Sequence, residues 1–159
     1  MPQEMPQVTD ALASQNGAAR PPNVQMAISN EMVRIYKDRF GRGPTKTRTH
    51  WAGPDVVAVL LEDTLTPVER SLVALGEHQR LRDLRTFFQY ATVPEFCEPI
   101  ERLTGRKVRA FISGIDPEAD GVSTEMFFLY PEGYDGPSRI DRATSRTGSV
   151  TSLPPHPLR

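Results

Sequence analysis

Val56-Val57-Ala58-Val59-Leu60-Leu61 is the longest apolar run in the chain, and it has the length of a strand rather than of a helix. In an extended backbone Val56, Ala58 and Leu60 point one way, and Val57, Val59 and Leu61 the other. Both faces are apolar, which predicts a central strand covered on both sides. Immediately before it, Gly53-Pro54 makes a turn too short for a crossover connection. The strand-like stretch Lys46–Ala52 is therefore expected to pair antiparallel with Asp55–Glu62.

The segments around this pair read as helices and two further strands. Val24, Ile28, Met32, Ile35 and Tyr36 recur at helical spacing and predict a helix over Asn23–Phe40. Asn23 is expected to cap it, Gly41 to take the left-handed position after its last turn, and Pro44 to prevent continuation. Downstream, Thr66-Pro67-Val68-Glu69 has the spacing of a capping box with proline at the first helical position. That helix carries Val68, Leu72, Val73 and Leu75 up to Gly76. The next covers Glu77 to Ala91 with Leu81, Leu84, Phe88 and Ala91 as its apolar stripe. A break near Val93 and a short helix over Pro94–Leu103 follow, with Pro94 in the first turn, Pro99 bending it and Gly105 ending it. Strands over Lys107–Ser113 and Ser123–Tyr130 complete the order α-β-β-α-α-β-β. This is an α+β fold, a single domain with helices packed on an antiparallel sheet.

The 159 residues hold 15 prolines, unevenly placed. Residues 1–22 and 131–159 are rich in Pro, Ser, Thr and Gly, lack periodicity and read as disordered tails flanking a folded unit over 23–130. A pI near 6.3 argues against a dedicated nucleic-acid binder, whose domain is usually basic overall. The single cysteine, Cys97, has no intrachain partner and two acidic neighbours, Glu95 and Glu98, which predicts a passive thiol and a reducing, cytoplasmic setting. His50, His78 and His156 are far apart, so no metal is expected, and no cofactor motif is present. The N-terminus has neither a basic start nor an apolar run, and no stretch approaches the roughly 20 apolar residues that span a bilayer. Any membrane role is expected to be peripheral, without insertion.

Charge is concentrated between Arg34 and Arg48, where six basic residues stand against one acid, Asp38. Such a patch attracts phosphates, headgroups or an acidic protein face. Arg42, Thr45, Lys46 and Arg48, with His50 and Trp51 beside them, are the candidate ligand- or partner-binding residues. Gly41-Arg42-Gly43-Pro44-Thr45-Lys46-Thr47 lacks the spacing of a phosphate loop and follows a helix instead of opening one, so the helix dipole would oppose a bound phosphate. A second cluster, Arg80, Arg82 and Arg85, reads as a solvated helix surface, or else as an extension of the same anion-binding face. Ser71 has no His–Asp partner in sequence, and no catalytic residue is identified. The chain reads as a non-enzymatic interaction module; the alternative is a sensor or enzyme holding a small anion with the Arg42–Arg48 loop.

Four segments carry a resemblance to a known family: Ile28-Ser29-Asn30-Glu31, Gly41 to Arg48, Leu65-Thr66-Pro67-Val68-Glu69-Arg70 and Leu103-Thr104-Gly105-Arg106-Lys107-Val108. Their order and spacing over the 23–130 core resemble the MpsC family. The resemblance implies a soluble accessory or regulatory component of a cation-translocating, membrane-potential-generating system whose membrane partners are also linked to inorganic-carbon uptake. It brings no catalytic residues, and Pro94 and Pro99 depart from the long helix expected of relatives. A homodimer is expected, because a domain of this size covers both faces of Val56–Leu61 with difficulty; a membrane transporter subunit is the expected partner.

Overall fold

The computed structural model describes residues 23–148. Its elements are α1 (Val24–Phe40), β1 (Lys46–Trp51), β2 (Val56–Glu62), α2 (Pro67–Ala74), α3 (His78–Ala91), α4 (Val93–Thr104), β3 (Val108–Asp116), β4 (Val122–Leu129) and α5 (Arg139–Gly148). The four strands form one antiparallel sheet in the order β1-β2-β4-β3. This is the expected α+β arrangement, with β2 central. The expected tail over 1–22, and 149–159 of the other, lie outside the described residues.

The helices gather on one face of the sheet. Val57, Val59 and Leu61 of β2 and Phe127 and Leu129 of β4 are buried with Ile28, Met32, Ile35 and Tyr36 of α1 and with Phe96 and Ile100 of α4. Phe96, Phe111 and Phe127 stack in series through this core. Burying such a set removes enough apolar surface to drive folding, each side chain contributing about 1.5–3 kcal/mol. The helical termini obey local chemistry: Gly41 takes φ 75° and donates its N–H to Lys37 O, and Gly105 closes α4 in the same left-handed way. Thr66 and Glu69 form the reciprocal capping box of α2.

Several expectations need correction. Asn23 offers α1 no side-chain cap; its carbonyl accepts from Ala27 N–H instead. On α2 the buried residue is Glu69, while Val68 and Leu75 are exposed, because the capping box rather than the apolar side chains faces inward. On α3 Leu84 is exposed, and Arg85, four residues after Leu81, takes the inward position. The expected break and short helix are present: α4 starts after Thr92 and runs through the buried Pro99 to Thr104, where Gly105 ends it.

The stretch read as a tail from 131 contains α5. Ser138 and Asp141 cap it reciprocally: Ser138 N–H donates to Asp141 Oδ2 and Asp141 N–H to Ser138 Oγ. Ile140 and Ala143 pack against the core, so two apolar side chains and a cap order a segment whose composition is otherwise polar.

Candidate functional site

The opposite face of the sheet carries no helix among the described residues. Directly paired residues share a face, so the register places Leu60 beside Arg48 and Thr124, Ala58 beside His50 and Met126, and Ile112 beside Met126. The result is an apolar strip across β2, β4 and β3. Phe128 and Met126 are half-buried, whereas Leu60 and Ile112 are exposed, Ile112 to 53%. Edge strand β1 borders the strip with Lys46, Arg48 and His50, and the far corner carries Asp116, opposite Val122.

The six residues singled out from the loop therefore divide. Lys46, Arg48 and His50 border the open face. Trp51 points the other way and packs on the core. Thr45 extends the β1–β2 ladder, its N–H donating to Glu62 O at 3.0 Å. Arg42 turns toward the start of α2, where it donates to Asp63 and, at 2.6 Å, to Leu65 O. The local excess of positive charge is compensated by acids distant in sequence: Arg39 pairs with Glu95, Arg42 with Asp63 and Arg48 with Glu62. Of the six cations from Arg34 to Arg48, Lys37 and Lys46 have no ion pair among the described residues.

The segments that carry the family resemblance work largely as clamps. Asp63 sits at φ 55°, a left-handed conformation unusual outside glycine. Arg42 and Arg70 both grip its carboxylate, and these hydrogen bonds, Arg42 foremost, hold its carboxyl below the usual range. Arg106 is buried and donates to Tyr130 O and Pro54 O, besides pairing with Asp55. It ties the ends of β2 and β4 together.

Beneath the sheet lies a polar network that periodicity did not reveal. Arg85, inside the domain, pairs with Glu69 at 2.7 Å, donates to Thr64 O, and lies 4.2 Å from the centre of the Phe40 ring. Burial opposes ionisation of Glu69, but Arg85 and the cap of Thr66 overcome it and keep the carboxyl low. Next to it, Glu125 is fully buried. Its Oε1 accepts from Tyr36 OH at 2.7 Å and from Ser113 Oγ at 3.0 Å, while Oε2 has no partner. Burial pushes its carboxyl up to about 7, against the opposing pull of those two hydrogen bonds and of Arg85. A cavity of about 210 Å³ opens beside this network, lined by Tyr36, Arg82, Arg85, Gln89 and Ser113 among others. Chemically the network can hold a proton near neutral pH. The sequence signal for it was the Glu69 capping box, whose acid needs a buried cation once it faces inward.

Cys97 is buried, and burial raises its thiol to about 12, which leaves it un-ionised as expected. His78 approaches Glu118 at 3.4 Å and His156 lies outside the described residues. Among the described residues no group of three or more His, Cys, Asp or Glu is placed to hold a metal, and no helix is long and apolar enough to cross a membrane.

No curated protein and no solved structure matches this chain. The family model described as Na+-translocating membrane potential-generating system (MpsC) does match, over residues 22–129, from α1 through β4 and stopping short of α5. With about two thirds of its length covered, and every segment that carried the resemblance inside the match, the chain belongs to the MpsC family.

Proposed function

We propose that this protein is a non-catalytic accessory component of a cation-translocating membrane system, acting from the cytoplasmic side as a homodimer through protein–protein contacts. Membership of the MpsC family supports involvement in a Na+-translocating, membrane-potential-generating system. The observation that carries the mode of action is the apolar strip on the open sheet face, from Leu60 through Met126 to Ile112.

A second copy suits that face. A two-fold axis parallel to the strands, between β2 and β4, lays β1 of one copy over β3 of the other. The strips then meet at the centre, and the Lys46 end of β1 comes over the Asp116 end of the partner's β3, basic against acidic. The outer side of α2 and α3, with Val68, Leu75, Phe87 and Tyr90 exposed, stays free in such a dimer. It is the surface we assign to the membrane subunit, since exposed aromatic side chains are the usual anchors of interfaces.

Light scattering at micromolar concentration tests the dimer, with about twice the 17.8 kDa chain mass expected. Proximity labelling in the native cell tests the partner. Labelled proteins that include no membrane component would remove the functional reading.

A further inference from the structure

A groove between α3, β3 and α5 is lined by four arginines: Arg109, Arg139, Arg142 and Arg146, together with Tyr90 and Phe111. It encloses about 330 Å³. None of the four cations forms an ion pair among the described residues, although Asp141 of the same helix feels the charge of Arg142. Three of them come from α5, where at about 100° per residue Arg139, Arg142 and Arg146 fall within an arc of about 60°. Asp141, the acid of α5, lies well outside that arc and is occupied in capping Ser138 N–H. Residues 149–159 contain no Asp or Glu.

Arg142 is also positioned in advance. Its guanidinium donates to Tyr130 OH and to the carbonyls of Pro137 and Arg109. These are neutral oxygens, which fix the side chain without cancelling its charge. Four like charges around one groove create a local positive potential that attracts an anion. One carboxylate would compensate a single charge. A phosphate carries more charge and presents several oxygens, and the planar guanidinium fork matches it in bidentate fashion.

We propose that this groove binds a phosphate group, on a small molecule or on a lipid headgroup, through Arg109, Arg139, Arg142 and Arg146. The site is independent of the open sheet face, and α5 lies outside the stretch that the family model matches. It supplies the chain with a second input, an anionic ligand, next to the exposed Tyr90 on the outer side of α3.

The test uses the full chain labelled with 15N and titrated with sodium pyrophosphate at constant ionic strength, with sodium acetate as control. Saturable shifts are expected at Tyr90, at Arg109 to Phe111 and along α5, about tenfold weaker in affinity in Arg109→Ala/Arg146→Ala. Among the described residues these two side chains make no hydrogen bond, so the variant should retain a dispersed spectrum. Co-sedimentation with phosphatidylcholine vesicles, with and without phosphatidic acid, distinguishes the sources: binding that needs phosphatidic acid and the two arginines assigns a lipid phosphate, and pyrophosphate binding alone a free one. Neither ligand binding, acetate matching pyrophosphate, or binding unchanged in the double variant would each overturn the proposal.

Discussion

Tyr36 and Glu125, 89 positions apart, share a 2.7 Å hydrogen bond in the interior between α1 and β4, with the phenol donating. The other carboxyl oxygen is unpartnered. A buried carboxylate in that situation is costly, so the protein keeps the acid protonated to higher pH than water would.

The consequence is a pH dependence of stability with a definite sign. Glu125 is raised from 4.5 to about 7 on folding. Between those values the folded state holds a proton that the unfolded chain releases, so stability is fully present below about pH 4.5 and declines as pH rises to about 7. The loss is on the order of 3 kcal/mol. Glu69 and Asp63, whose carboxyls are held low, act in the opposite sense and only on the acid side of this window. In Glu125→Gln the decline should vanish from urea melts taken across the window, because the amide still accepts from Tyr36. An unchanged slope would assign the effect to another group.

Glu69 joins two functions that are usually separate, the cap of α2 and the counter-charge of Arg85. Glu69→Ala should cost about 3–5 kcal/mol, since it strands a buried guanidinium as well as removing a cap. Replacing both partners, as in Glu69→Leu/Arg85→Met, should cost much less than the sum of the two single changes. Denaturant unfolding of the four members of the cycle measures the coupling. Additive losses would show that the pair contributes nothing beyond its parts.

Cys97 should resist alkylation in the native protein, being buried with its thiol at about 12. Labelling by iodoacetamide should proceed at a rate set by opening of the core around α4 and should rise steeply near the unfolding midpoint. Rapid labelling in native buffer would mean that α4 detaches without global unfolding.

The sequence made the elements legible where one chemistry dominated. The capping box at Thr66 and Glu69, the glycines after α1 and α4, and the apolar run of β2 each act within a few residues. What it concealed was tertiary. The compensation of Arg42 by Asp63 and of Arg48 by Glu62 appears only once β2 folds back beside β1. Leu84 and Arg85 sit one residue apart on α3, and helical periodicity favoured the leucine, but the acid waiting in α2 selects the arginine. The α5 helix was hidden because Ile140 and Ala143 are too few to show a period, although Ser138 and Asp141 had the spacing of a cap.

The one-sided placement of the helices makes the last prediction sharp. Leu60 and Ile112 are on the open face and contribute little to the monomer's core, so Leu60→Glu and Ile112→Asp should leave the fold stable to within about 1 kcal/mol. In a dimer packed sheet to sheet each would bury charge in apolar surroundings, and it should therefore dissociate the assembly. Arg48→Ala removes a border charge that already pairs with Glu62 and should change the mass little, while making association less sensitive to salt. Sedimentation velocity on the three variants reads these effects together. A dimer that survives Ile112→Asp would place the interface elsewhere, with the exposed Phe87 and Tyr90 of α3 as the surface to alter next.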